Sequence, residues 1–212
     1  MSKIYPDFLG ALIGSTGKVS YYMRYGENIA RRKVIGGKSS NSPAAVEQRM
    51  KFGVLTKLAS VLQAATHLGF PQRKRGLTVA NEFVRLNKDI CTVTGDTVSV
   101  DYERLLCANG QLHTPEVTVT YSAESQKFLF EQTTTEEERN NSADDKVYAV
   151  LLESNQGFCR LTELRQRGES GSTSVTLPKR WEKEHVIVYA FATSADGKLA
   201  SKSIYLTVEE DA

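Results

Sequence analysis

The sequence predicts an α+β fold: an N-terminal β-hairpin plus two helices, followed by an Ig/fibronectin III-like antiparallel β-sandwich. Three observations lead there. Two alternating segments surround a turn between Lys18 and Ile35. Apolar residues then recur at helical spacing from Val46 to Ala65. After about Cys91, seven or eight short strand-like segments follow one another, separated by turn material such as "SNQG" and "SADGK". The expected division is a basic hairpin-plus-helices module at 1–95 and a sandwich at 96–212.

In the hairpin, Val19, Tyr21 and Met23 fall on one face, and Ser20, Tyr22 and Arg24 on the other. "YGEN" supplies the turn through Gly26 and Asn28. The second strand, Asn28 to Val34, carries Arg31, Arg32 and Lys33, and Gly36 to Ser42 forms a loop. Ser42 is an N-cap and Pro43 suits the first helical position. The apolar stripe Val46, Met50, Val54, Leu58, Val61, Leu62 and Ala65 then predicts one helix, ended by Gly69 and Pro71. A basic connector, Gln72–Gly76, leads to a second helix over Thr78–Asp89.

Expected strands cover Thr97–Val100, Glu116–Tyr121, Lys127–Glu131, Lys146–Leu152, Phe158–Leu164, Ser174–Leu177, His185–Ala192 and Ser201–Val208. The last two read as a long hairpin after a Pro-containing corner at Trp181. Thr133–Asp145 is polar and weakly patterned, a loop; it lacks the spaced ligands and turn glycine of a calcium site.

Charge divides the chain. Residues 1–80 carry 13 Lys and Arg against 3 Asp and Glu, whereas residues 81–212 carry 14 against 22. A basic front and acidic back point to an anionic partner or to a second copy. No apolar run approaches the roughly 18–20 residues that span a bilayer, so no membrane partner is expected. The N-terminus has a short apolar part and one preceding cation, Lys3, so a cytoplasmic location is expected, or incorporation in a particle. Cys91, Cys107 and Cys159 form no CxxC pair and read as free thiols.

The motifs that would carry chemistry fail at identifiable residues. "GSTGKVSYY" resembles a phosphate loop, but Leu12 stands where glycine is needed and Val19 where a metal-binding hydroxyl is needed. "GESGS" has Ser172 in place of the last glycine of GxSxG. His67, His113 and His185 form no HExxH pair. No enzyme activity, metal or cofactor is therefore expected. The remaining signal is a candidate anionic-surface site: Lys18, Arg24, Arg31, Arg32, Lys33 and Lys38 with Tyr22. Cations interleaved with aromatics suit a protein partner, self-association or nucleic acid.

Gly17-Lys18-Val19, Arg31-Arg32, the Ser42-Pro43-Ala44 entry with Gln48-Arg49, and the Leu177-Pro178 to Trp181 corner resemble a domain family of unknown function common in Bacteroidetes genomes. The resemblance runs over nearly the whole chain. Over a short stretch the front is also similar to small phage and prophage proteins. The resemblance implies a small non-enzymatic protein linked to a phage or mobile element, and it transfers no catalytic residue. Val46-Glu47 departs from the Ala-Gln found at this helix start in the family. The expected function is a structural or interaction protein, with nucleic-acid binding as the alternative.

Overall fold

Turn chemistry organises the front of the chain. The computed structural model describes residues 2–4, 10–33, 36, 40–134 and 140–210, and the chain divides into two compact units, Met1–Val46 and Glu47–Ala212. In the first, β1 (Ser2–Ile4), β2 (Gly14–Thr16), β3 (Val19–Arg24) and β4 (Glu27–Arg32) form an antiparallel sheet ordered β1-β4-β3-β2. The expected hairpin is its centre. Tyr25 (φ 52) and Gly26 (φ 79) close that hairpin as a two-residue loop. Two left-handed residues in succession match the twist of the flanking strands. Asn28, expected both in the turn and as the first residue of the second strand, belongs to the strand alone. It lies in β4 opposite Met23, and its buried amide donates to the Leu12 carbonyl at 3.2 Å.

Helix α1 (Pro43–Val61) starts as its cap predicts: the Ser42 hydroxyl accepts from the Ala45 amide at 3.4 Å, and the Ser42 carbonyl accepts from the Ala45 and Val46 amides at 3.0 Å. The expected single helix to Gly69 is interrupted at Leu62, giving a separate α2 (Gln63–Gly69). Gly69 is required by packing, because a Cβ there would strike the Cys107 carbonyl and stand 2.7 Å from the Ala108 Cα. Helix α3 (Val79–Leu86) is capped by the Thr78 hydroxyl, which accepts from the Asn81 amide at 3.2 Å.

Strand β5 (Cys91–Thr94) pairs with β6 (Thr97–Val100) in a two-stranded sheet of its own. The expected assignment of Thr97–Val100 to the sandwich is therefore incorrect; its Val98 and Val100 pack with the helices instead. The remaining strands are β7 (Val117–Ser122), β8 (Lys127–Gln132), β9 (Lys146–Glu153), β10 (Phe158–Gln166), β11 (Gly171–Thr176), β12 (Val186–Thr193), β13 (Ile204–Leu206) and β14 (Val208–Glu210). They build two sheets, ordered β10-β9-β12-β13 and β11-β8-β7-β14. The expected long terminal hairpin reduces to three pairs between β12 and β13. The chain then crosses to the other sheet, where β14 pairs parallel with β7.

Two cores result. Val119, Phe128 and Phe130 of one sheet meet Ala149, Leu151 and Val188 of the other. The opposite side chains of β9 and β12, among them Tyr148, Leu152 and Phe191, join Leu55, Leu62, Phe70 and Phe83 in a second core. The order of layers is helices, sheet, sheet, with the middle sheet covered on both faces. The expected boundary at 95/96 therefore falls inside the second unit, because the helices complete a core with the sheet.

Buried polar groups tie the loops to this frame. The Asn87 side chain donates to the Phe83 and Leu106 carbonyls and accepts from the Leu106 amide at 2.8 Å. The Glu153 carboxylate accepts from the Asn155 and Gln156 amides and closes the β9–β10 turn. Arg160 and Arg165 donate to the Thr176 and Ser172 carbonyls of the edge strand β11, which occupies acceptors that an edge otherwise offers to another chain.

Candidate interaction surface

Directly opposed residues of an antiparallel pair project to one side of the sheet. The β3–β4 register opposes Ser20 to Arg31, Tyr22 to Ile29 and Arg24 to Glu27. Tyr22, Arg24 and Arg31 therefore share one face. The Lys33 amide donates to the Lys18 carbonyl at 2.7 Å, which carries the register to that pair on the same side by alternation. Arg32, opposite Val19, belongs to the other face. Lys38 lies outside the described residues. Five of the seven candidates are brought together, and Arg32 is excluded by strand parity alone.

Lys18, Arg24, Arg31 and Lys33 are exposed, and Tyr22 is half-buried. Among the described residues, neither Lys18, Arg31 nor Lys33 has an ion-pair partner, whereas Lys3 binds Glu27 at 2.7 Å. Exposed lysine and arginine side chains with no local counter-charge hold a positive field over this face.

From sequence, Tyr25 is one of three tyrosines interleaved with the hairpin cations, with Tyr21 and Tyr22, and not a site candidate. It is 61% exposed at the hairpin tip, with the Arg24 guanidinium 5.5 Å from its ring centre. A side chain in the left-handed region costs about 1–2 kcal/mol, and the exposed ring recovers little of that by burial. The signal was its position before Gly26 in a two-residue loop, where glycine or asparagine is the usual occupant. Met23 is also exposed beside this tip.

The second unit carries a polar cleft of about 590 Å³ between the segments that precede β7 and β9 and the one that follows β12. Leu112, Ala195 and Leu199 line it together with Asp144, Asp145 and Asp196. Arg167 occupies Asp145 at 3.1 Å and Lys198 occupies Asp196 at 2.8 Å. Hydrogen bonds from Lys198 and from the Ser194 hydroxyl hold the Asp196 carboxyl well below the usual range. Asp144 has no ion-pair partner among the described residues. Among those residues no group of three or more His, Cys, Asp or Glu is placed to hold a metal ion. The Glu136–Glu138 run of the polar loop lies outside them. No described helix is long and apolar enough to cross a membrane.

The profile of DUF6266, a family of unknown function, matches residues 4–207. The chain belongs to that family. No curated protein matches it. Among solved structures, it is similar to the adhesin domain of Epf from Streptococcus pyogenes at 14% identity and a TM-score of 0.32. That match covers 47% of this chain and 33% of the other, so the chain spans about a third of that neighbour's length.

In this DUF6266 chain Cys91, Cys107 and Cys159 are free thiols within or against the helix-side core. Burial pushes Cys107 up to about 12 and Cys159 up to about 11, from an ordinary 9.0. The thiolate is the reactive form. At pH 8 both thiols are expected to resist iodoacetamide in the folded protein and to react once it is unfolded in guanidinium, as mass spectrometry would read. Raised folded-state values also mean that their contribution to stability is complete below about pH 9 and is lost as pH rises through 11–12.

Proposed function

We propose that this chain is a non-enzymatic structural protein that associates with further copies through the basic face of its N-terminal sheet. The observation that carries this reading is the one-sided array of Lys18, Arg24, Arg31 and Lys33 around Tyr22. Residues 1–46 hold seven Lys and Arg against two Asp and Glu, and residues 47–212 hold 20 against 23. Opposed balances favour contact between the basic unit of one copy and the acidic unit of the next. Such head-to-tail contacts use two different patches and repeat.

The frame of the second unit is proposed to be fibronectin III-like. Lettering β7 to β13 as A, B, C, C′, E, F and G puts E-B-A in one sheet and C′-C-F-G in the other. Sandwiches of this order serve many binding roles, and the binding surface rather than the frame specifies which.

Sedimentation at low and high salt tests the reading. The parent is expected to self-associate at low salt and to dissociate as salt rises, because the Debye length shortens to about 3 Å at 1 M. Arg31→Glu with Lys33→Glu is expected to abolish association without affecting folding, since both side chains are exposed. A monomeric parent at low salt and high concentration would overturn it. Tyr22 among the cations favours a second reading, contact with single-stranded nucleic acid. Salt-sensitive retention of a monomeric parent on such nucleic acid, lost in the double variant, would establish that reading instead.

A further inference from the structure

We infer that the tip of the β3–β4 hairpin is a plug, and that the cleft in the second unit of another copy is its socket. The inference rests on the self-association proposed above and names the two surfaces that meet.

The plug is Tyr25, with Arg24 beside its ring and Met23 exposed next to it. Among the described residues of the first unit, the Tyr25 ring has the Arg24 guanidinium beside it and stays largely exposed. The loop needs a left-handed residue, which glycine supplies without strain. A large aromatic ring that is both strained and exposed gains its energy where it is covered. Tyrosine and arginine are among the residue types that anchor protein interfaces.

The socket matches this chemistry. Its volume of about 590 Å³ leaves room for an aromatic ring and a guanidinium side by side. Leu112, Ala195 and Leu199 offer apolar contact, and Leu199 is 37% exposed. The Asp144 carboxylate lines the same cleft and would receive Arg24. The overall charges have the same sense, a basic plug unit and an acidic socket unit. Complementary potentials of this kind set register and suppress wrong partners. The basic face then supplies attraction over distance, and the tip supplies the short-range fit.

Tyr25→Gly is the first test. It is expected to fold as well as the parent or better, because glycine relieves the left-handed strain, yet to weaken self-association at least tenfold in sedimentation. Tyr25→Phe keeps the ring and is expected to associate like the parent. Leu199→Lys, which places a cation in the socket, is expected to weaken association as Tyr25→Gly does.

Cross-linking gives the second test. Differently tagged Tyr25→Cys and Leu199→Cys chains, mixed and mildly oxidised, are expected to form a mixed disulfide-linked pair. Tyr25→Cys with Thr118→Cys, on the outer face of the other sheet, is expected to form none. If Tyr25→Gly associates like the parent while Arg31→Glu with Lys33→Glu does not, the plug is overturned and the basic-face reading stands. A parent that stays monomeric at low salt removes both.

Discussion

Replacing Arg167 by methionine is expected to destabilise the second unit by about 3–5 kcal/mol, the usual effect of removing one partner of a buried ion pair. The side chains of Arg167 and Asp145 are only 2% and 3% exposed, and the guanidinium Nε donates to Asp145 Oδ2 at 3.1 Å. The same guanidinium donates through Nη2 to the His113 carbonyl at 2.7 Å. The two backbones also join, Arg167 amide to Asp145 carbonyl, at 2.9 Å. The pair thus fastens the end of β10 to the loop that enters β9 and to the segment before β7. Methionine has nearly the length of the aliphatic stem but leaves the carboxylate buried with, among the described residues, only the Ser142 amide, 3.2 Å away. Urea unfolding at pH 7 measures the effect. Adding Asp145→Leu to Arg167→Met is expected to recover most of the loss, because a buried pair replaced by apolar groups is often close to neutral. A single-variant loss below about 1 kcal/mol, the range of exposed pairs, would mean that water reaches the carboxylate.

Leu151→Ala and Leu152→Ala are expected to cost similar amounts, about 2–5 kcal/mol each. Consecutive strand residues point to opposite faces. Leu151 enters the core between the two sheets, Leu152 enters the core under the helices, and both are fully buried. In a sandwich open to solvent on its outer faces one of the two would be exposed, and its truncation would fall within about 0.5 kcal/mol. Each variant should unfold the second unit in a single transition, because the helices and the sheets share the middle layer. A cost below about 1 kcal/mol for Leu152→Ala alone would show that the helical layer contributes no joint core.

That middle layer is written in the chain, in a form easily misread. "VYAVLL" and "VIVYAFA" are near-continuous apolar runs rather than alternations, which is how strands covered on both faces read. "VTVTY" does alternate, and β7 presents its threonines outward. The contrast between the two textures marks which sheet lies beneath the helices. In the same way, strand alternation along β4 suffices to separate Arg31 from Arg32, since neighbouring strand residues face opposite sides. The left-handed, exposed placement of Tyr25 is harder to find, because composition expresses neither a backbone angle nor an exposure.

By itself the sequence determined the features set within a few residues of one another. These are the two faces of the β3–β4 hairpin, the helix starts at Ser42 and Thr78, and the positions of β7 to β12. Alternation, capping and turn propensity act over that range, so they leave a local trace. Only the tertiary structure decided which strands are partners: the separate β5–β6 sheet, the crossing from β13 to β14, and the break at Leu62. The physical reason is that backbone hydrogen bonds carry no side-chain identity. Thr97–Val100 and Val208–Glu210 can pair with any edge, and the edge they meet is set by how distant apolar surfaces come together.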